Sequence, residues 1–249
     1  MSGLFSAQVR DLYAGHDPQL VLLDLDGTLI DSVPDLAAAV DSMLTQLNYA
    51  SLGSDNVSHW IGNGADMLVR RALVHAYAEA NPNEKDKEKQ NDEAANRLSH
   101  DEVSQARAYF DTAYLNALHN ATGMFTGVSE FLLNCTIPKV LITNKPRKFT
   151  VPLLRSLGWE NTFVGVFCGD DLSEKKPSPM PLLVACQQQQ ISPENALMVG
   201  DSRHDIQAAK AAGIATVGVT YGYNHGDDIA LSNPDLTCDS LLSLLNEIR

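Results

Sequence analysis

Two aspartates one residue apart, Asp24 and Asp26, end an apolar run in VLLDLDGTLIDS, residues 21–32. Asp and Gly suit the turns that close strands, so D-x-D-G fits a strand followed by its turn. Two carboxylates at this spacing also suit a divided reaction, in which one attacks and the other carries a proton. Further along, Thr143 and Asn144 end VLITN, Lys176 lies in SEKKPSP, and Asp201 and Asp205 lie in GDSRHD. Each has a plainer reading. Thr143 is a β-branched strand residue, and Lys176 a solvated charge ahead of a helix start at Ser178 and Pro179. Gly200 and Asp201 form a turn, and Asp205 is a first-turn acid favoured by the helix dipole. Brought together, however, four carboxylates repel and need raised pKa values or a cation. An oxygen-rich acid cluster suits Mg²⁺. With a lysine and a hydroxyl added, it is the equipment for phosphoryl transfer, which is mostly positioning and charge neutralisation.

The elements that must position these residues are short apolar runs separated by helical patterns. LVLLD, KVLIT, FVGVFC, ALMVG and ATVGV read as strands, with SPMPLLVACQQQQ and DIQAAKAAG as helices between the later ones. Strands alternating with helices predict an α/β fold with a doubly wound, Rossmann-like parallel sheet covered on both faces. In such a sheet ligands bind beyond the carboxyl ends of the strands, where all of the candidate residues fall.

Residues 34–118 break that rhythm and read as helices only. PDLAAAVDSMLTQL places Leu36, Val40, Met43, Leu44 and Leu47 on one face, with Pro34 in the first turn. Ser99 and Glu102 have the spacing of a capping box, and Val103, Ala106, Phe110, Ala113 and Ala117 form one apolar stripe behind them. The expected organisation is a core of residues 1–33 and 119–249, with a helical cap at 34–118 inserted after the first strand. The ends of the insert are expected to return near Asp24. NPNEKDKEKQNDE, residues 81–93, reads as a solvated charge run.

The chain has 249 residues, 44% of them hydrophobic and 20% charged, as in ordinary globular proteins. A net charge of −13 argues against a nucleic-acid backbone as partner. Neither a signal peptide nor an apolar run of membrane-spanning length is read, so the expectation is a cytoplasmic protein without a membrane partner. Cys135, Cys168, Cys186 and Cys238 are scattered, with no C-x-x-C pair, and read as reduced thiols.

DLDGTLIDS, LITN, KKPSP and GDSRHD resemble, in that order, the four motifs of the haloacid dehalogenase superfamily. The resemblance implies a phosphoric monoester hydrolase with a Rossmann-like core and an inserted helical cap. It implies Asp24 as nucleophile, through an aspartyl-phosphate, and Asp26 as general acid and base. Mg²⁺ would be held by Asp24, the main-chain carbonyl of Asp26 and Asp201, with Asp205 supporting the metal shell. Thr143, Asn144 and Lys176 would hold the phosphoryl oxygens. Dehalogenases of the superfamily lack an acid at the position of Asp26, so its presence favours phosphate esters.

HWIGNGADMLVRRAL (59–73) and YGYNHGDDI (221–229) resemble a bacterial phosphatase branch of that family, with 2-phosphoglycolate as the implied small-molecule substrate. Gly62, Asn63 and Gly64 then have two readings. They are a plain connection between helices, or they present backbone amides to a substrate carboxylate. Arg70 or Arg71, one to two turns on, is a further candidate. A phosphatase or phosphomutase for another small sugar phosphate shares the same catalytic set. A phosphonate hydrolase is disfavoured, because residues 32–84 contain no lysine for a Schiff base. A receiver-like phosphoacceptor signalling module also carries Asp, Thr and Lys at strand ends, but lacks the cap and the second acid. A monomer or homodimer is expected.

Overall fold

The computed structural model describes residues 3–81, 98–118 and 120–246. Nearly all of the charge run at 81–93 lies outside them. The chain divides into two compact units, Met1–Asp31 with Gly123–Arg249, and Ser32–Thr122.

The first unit is built on a sheet of six strands: β1 (Leu20–Leu23), β4 (Lys139–Ile142), β5 (Gly165–Phe167), β6 (Ala196–Gly200), β7 (Ala215–Val219) and β8 (Leu236–Cys238). They lie in the order β5-β4-β1-β6-β7-β8, and every adjacent pair is parallel. The expected α/β parallel sheet is therefore present. β1 and β6 are buried along their whole length, which is why they read as unbroken apolar runs rather than alternating ones. β8 is an addition to the expected strands. LTC is half-exposed at the sheet edge and carries no apolar run to mark it. β2 (Ile30–Asp31) and β3 (Gly123–Met124) are further additions. They form a two-residue antiparallel ribbon, too short for a periodic signal.

The sheet order has a functional consequence. After β1 the chain builds outward through β4 and β5, then returns to the other side of β1 with β6 and continues outward. The direction reverses between β1 and β6, the kind of switch point at which open α/β sheets leave a crevice for ligand. One face is filled by Leu20, Leu22, Val140, Ile142, Ala196 and Met198 against Leu182 and Ala185 of one helix (Met180–Gln189) and Ala208 and Ala209 of another (Arg203–Ala212). The alternate positions Val21, Leu23, Leu141, Leu197 and Val199 are buried too, so the sheet is covered on both faces and its strand ends are rigidly spaced.

The second unit holds α2 (Val33–Gln46), α3 (Gly53–Ser58), α4 (Ala65–Ala80) and α5 (His100–Ala117), following α1 (Ala7–Asp11) of the first. α2 packs on α3 and α5, and α4 packs on α5. Leu36, Val40, Met43 and Leu44 are buried as their spacing predicts, and Leu47 is half-buried at the helix end. α5 opens with the expected capping box: Ser99 N donates to Glu102 Oε2 at 2.9 Å, and Glu102 N donates to Ser99 Oγ at 3.2 Å. Its buried stripe is Ala106, Phe110 and Tyr114, whereas Val103, Ala113 and Ala117 are only half-buried.

One contact closes this unit. Asp35, 2% exposed, accepts from Ala121 N, Thr122 N and Thr122 Oγ1 at 2.9, 3.0 and 2.6 Å, tying the first turn of α2 to the end of the segment. No helix among the described residues is long and apolar enough to cross a membrane.

Candidate active site

The candidate residues of the first unit stand just past the carboxyl ends of β1, β4, β5 and β6. β1 delivers Asp24, which is 8% exposed, and the chain then turns sharply through Leu25–Thr28. Gly27 makes that turn at φ +90°. A Cβ there would lie 2.3 Å from Oδ2 of Asp201, so both the backbone and the approach require glycine. Gly222 presses on the same carboxylate from the loop after β7, where a Cβ would sit 2.1 Å from Asp201 Cβ.

Oxygens of Asp24, Asp201 and Asp205 lie within 4.8 Å of one another, and all three residues are buried. One ammonium stands among them. Lys176 Nζ is 2.7 Å from Asp24 Oδ1 and 2.6 Å from Asp205 Oδ1, and donates to the Ile142 carbonyl at 2.6 Å. Asn144 Nδ2 donates to the Lys176 carbonyl at 2.9 Å and fixes the lysine's main chain to the end of β4. Thr143 Oγ1 accepts from Lys145 N at 3.1 Å.

Asp205 is the third residue of the helix after β6 (Arg203–Ala212), which opens with a reciprocal cap at Ser202. Its Oδ2 accepts from Ser202 N at 3.0 Å and Ser202 Oγ at 2.7 Å. Asp205 thus fills the place of a plain first-turn acid and faces the lysine with its other oxygen. Asp201 accepts from Thr28 Oγ1 at 3.1 Å and from Tyr223 N at 2.8 Å.

Three buried carboxylates share one ammonium, so the surplus negative charge falls on the acids. Burial pushes Asp24 well above the carboxylate range; the charge of Asp205 adds to this, and Lys176 opposes it. Asp201 is pushed up to about 7 by burial and by Asp205, against the hydrogen bonds from Tyr223 and Thr28. Burial works against the charge on Lys176, but Asp205 and Asp24 outweigh it and raise its pKa. His204 is pushed down to about 4 by burial and by the ring of His225, whose centroid is 5.4 Å away.

Asp26 is not part of the acid group. Its carboxylate forms an ion pair with Lys145, Nζ to Oδ1 at 2.8 Å. Sequence reasoning does not single out Lys145, Thr28, Ser202 or Tyr223. Lys145 directly follows the strand-end pair Thr143–Asn144 in LITNK, and that adjacency is the available signal. Tyr223 acts through its main chain, which no residue-type pattern announces.

Gly62, Asn63 and Gly64 belong to the helical unit. Gly64, at φ +87°, is the N-cap of α4, and Asn63 Oδ1 accepts from Arg71 Nη1 at 3.4 Å. Arg71 also donates to the Trp60 carbonyl at 3.0 Å.

The parallel sheet thus carries, at its switch point, an acid cluster with a buried lysine. Residues 21–219 match the haloacid dehalogenase-like hydrolase family, and the chain belongs to it. Within the family, its sequence is similar to bacterial phosphoglycolate phosphatases. It is 45% identical over 239 residues to one from Pseudomonas putida, covering 95% of this chain and 82% of the relative. It is 46% identical over 229 residues to one from Salmonella choleraesuis, covering 90% of each. Among solved structures, a predicted phosphoglycolate phosphatase from Haemophilus somnus superposes with a TM-score of 0.81 at 36% identity, covering 90% of this chain and 95% of that one.

Proposed function

We propose that this enzyme hydrolyses 2-phosphoglycolate to glycolate and phosphate, with Asp24 as the nucleophile. The observation that carries the chemistry is the buried Asp24 beside Lys176 at the sheet's switch point, facing Asp201 and Asp205. Similarity at 45% identity to phosphatases named for phosphoglycolate carries the substrate.

The donor set fits a divalent cation. Three buried carboxylates face one lysine, and burial first, with the charge of Asp205 added, raises the pKa values of Asp24 and Asp201, an environment that a divalent cation would relieve. Asp24, Asp201 and the main-chain carbonyl of Asp26 would hold Mg²⁺, with Asp205 behind them. Once bound, the cation would neutralise phosphoryl oxygens and favour ionised carboxylates.

The chain's own groups supply the rest. Lys176 holds Asp24 Oδ1, leaving Oδ2 to attack phosphorus. The bond from phosphorus to the ester oxygen breaks, and Asp26, entering this step as the carboxylic acid, gives its proton to the departing alkoxide and is left as the carboxylate. Asp26 then takes a proton from water as that water attacks the aspartyl-phosphate. The bond from Asp24 to phosphorus breaks, and inorganic phosphate leaves. Lys176 and the Thr143 hydroxyl hold phosphoryl oxygens, with Asn144 bracing the lysine. Asp205 is the anchor that keeps Lys176 charged and in place. Recognition of the substrate carboxylate is assigned to the amides of Gly62, Asn63 and Gly64 ahead of α4.

The test is phosphate release from a panel of small phosphate esters, with Mg²⁺ and with chelator, using Asp24→Asn as the blank. The highest kcat/KM on 2-phosphoglycolate supports the whole reading. A different preferred ester keeps the chemistry and removes the substrate assignment. Stable phosphorylation of Asp24 without turnover would instead favour a signalling role.

A further inference from the structure

Asp26 needs more than its position in the D-x-D motif. To serve both half-reactions, its carboxylate must present one oxygen to the ester oxygen and later to water. It lies on a tight turn rather than on a strand, and its side chain is only 12% exposed. The group holding it is Lys145, whose side chain is 4% exposed and whose Nζ lies 2.8 Å from Asp26 Oδ1. A lysine this deeply buried is uncommon unless paired.

The Lys145 main chain is itself clamped. Its N–H donates to Thr143 Oγ1 at 3.1 Å, and its carbonyl accepts from Gly169 N at 3.1 Å and Thr150 Oγ1 at 3.4 Å. Thr143 is two residues before Lys145 at the end of β4, Thr150 is five residues after it in the helix Arg147–Ser156, and Gly169 follows β5, so local turns and one distant strand end hold the frame that presents the ammonium. A Cβ on Gly169 would lie 2.2 Å from the Asn144 carbonyl, so that frame is packed to contact.

We propose that Lys145 is the positioning residue for Asp26. It engages Oδ1 and turns Oδ2 toward the ester oxygen. The inference rests on the acid–base reading of Asp26 given above. The two lysines of the site then have separate roles, with Lys176 serving the nucleophile and Lys145 serving the proton carrier.

The test compares an alkyl phosphate, the preferred ester of the panel, with p-nitrophenyl phosphate, in Mg²⁺-loaded wild type, Lys145→Met, Lys145→Gln, Lys145→Arg and Asp26→Asn. An alkoxide leaving group needs a proton as it departs, whereas a nitrophenolate does not. Because kcat/KM includes the departure step, it reads the difference. A misoriented acid is expected to lower kcat/KM on the alkyl ester by about tenfold or more and on the aryl ester by less than about threefold. Lys145→Arg is expected to recover part of the alkyl activity, and Lys145→Gln stands in if the methionine variant does not fold.

Equal losses on both esters would reduce Lys145 to a structural role and overturn the proposal. So would a rise in KM alone for the alkyl ester, which would mark a direct substrate contact. If Asp26→Asn loses alkyl activity selectively and the Lys145 variants do not, only this inference falls. If Asp26→Asn loses both equally, the acid–base reading falls and takes the inference with it.

Discussion

Nζ of Lys176 lies 2.7 Å from Oδ1 of Asp24, across 152 residues of sequence, with both groups withdrawn from water. Among the described residues this lysine is the one ammonium paired with Asp24 and Asp205 within the acid cluster, and it therefore sets what the acids can do.

Lys176→Met is expected to cost folding stability on the order of 3–5 kcal/mol, since it leaves buried carboxylates without their partner. Urea denaturation with and without Mg²⁺ measures this. Mg²⁺ is expected to restore part of the loss without restoring turnover. A variant as stable as wild type would show that the acids are neutral without the lysine.

Asp24→Asn is expected to abolish turnover while leaving a folded protein. Steady-state phosphate release, with thermal melting as the fold control, is the measurement. Activity near wild type would remove Asp24 as nucleophile.

Asp201 contributes to the pH dependence of the metal-free protein. Its pKa rises from 3.8 to about 7 on folding, so the folded state holds a proton that the unfolded state releases. The stability this group contributes is complete below its unfolded value and is lost as pH rises through about 7. Mg²⁺ competes with that proton, so the Tm gain on adding Mg²⁺ is expected to grow between about pH 5 and about pH 8. A gain that is flat or falls with pH would separate Asp201 from the metal.

Gly27→Ala and Gly222→Ala each drive a methyl group into Asp201, at 2.3 and 2.1 Å from its nearest atoms. Loss of both turnover and Mg²⁺-induced stabilisation is expected, with a stability cost of about 1–3 kcal/mol at Gly27 from its positive φ. Wild-type Mg²⁺ response in either variant would show that Asp201 can move aside.

Asp35→Ala removes the acceptor for three donors at the closure of the helical unit. A loss of about 1–3 kcal/mol is expected by calorimetry, for the buried donors left unsatisfied. An unchanged Tm would mean that water replaces the carboxylate.

The parallel sheet is legible in the sequence because its central strands are buried on both faces and must be apolar throughout. β8 and the β2–β3 ribbon are not, because a half-exposed edge and a two-residue strand leave no such mark. The capping box at Ser99 is legible because it closes within four residues of chain. Tyr114 does not announce itself as a buried stripe residue because its ring is as common on surfaces as in cores.

At the candidate site the same division holds. Asp24, Thr143, Lys176, Asp201 and Asp205 are marked by residue type at strand ends, a local property of the chain. What each one touches is not marked. That Asp205 faces Lys176, that Asp26 faces Lys145 rather than the acid group, and that Tyr223 donates its main-chain N–H to Asp201 depend on strand order and loop packing. By itself the sequence determined which groups are available and that they lie at the carboxyl ends of strands, because burial and turn chemistry act on neighbouring residues. Only the tertiary structure decided which acid meets which lysine, because contacts between separate segments, 22 residues apart for Tyr223 and Asp201 and 119 for Lys145 and Asp26, are set by the sheet's order and by how closely glycines let the loops approach.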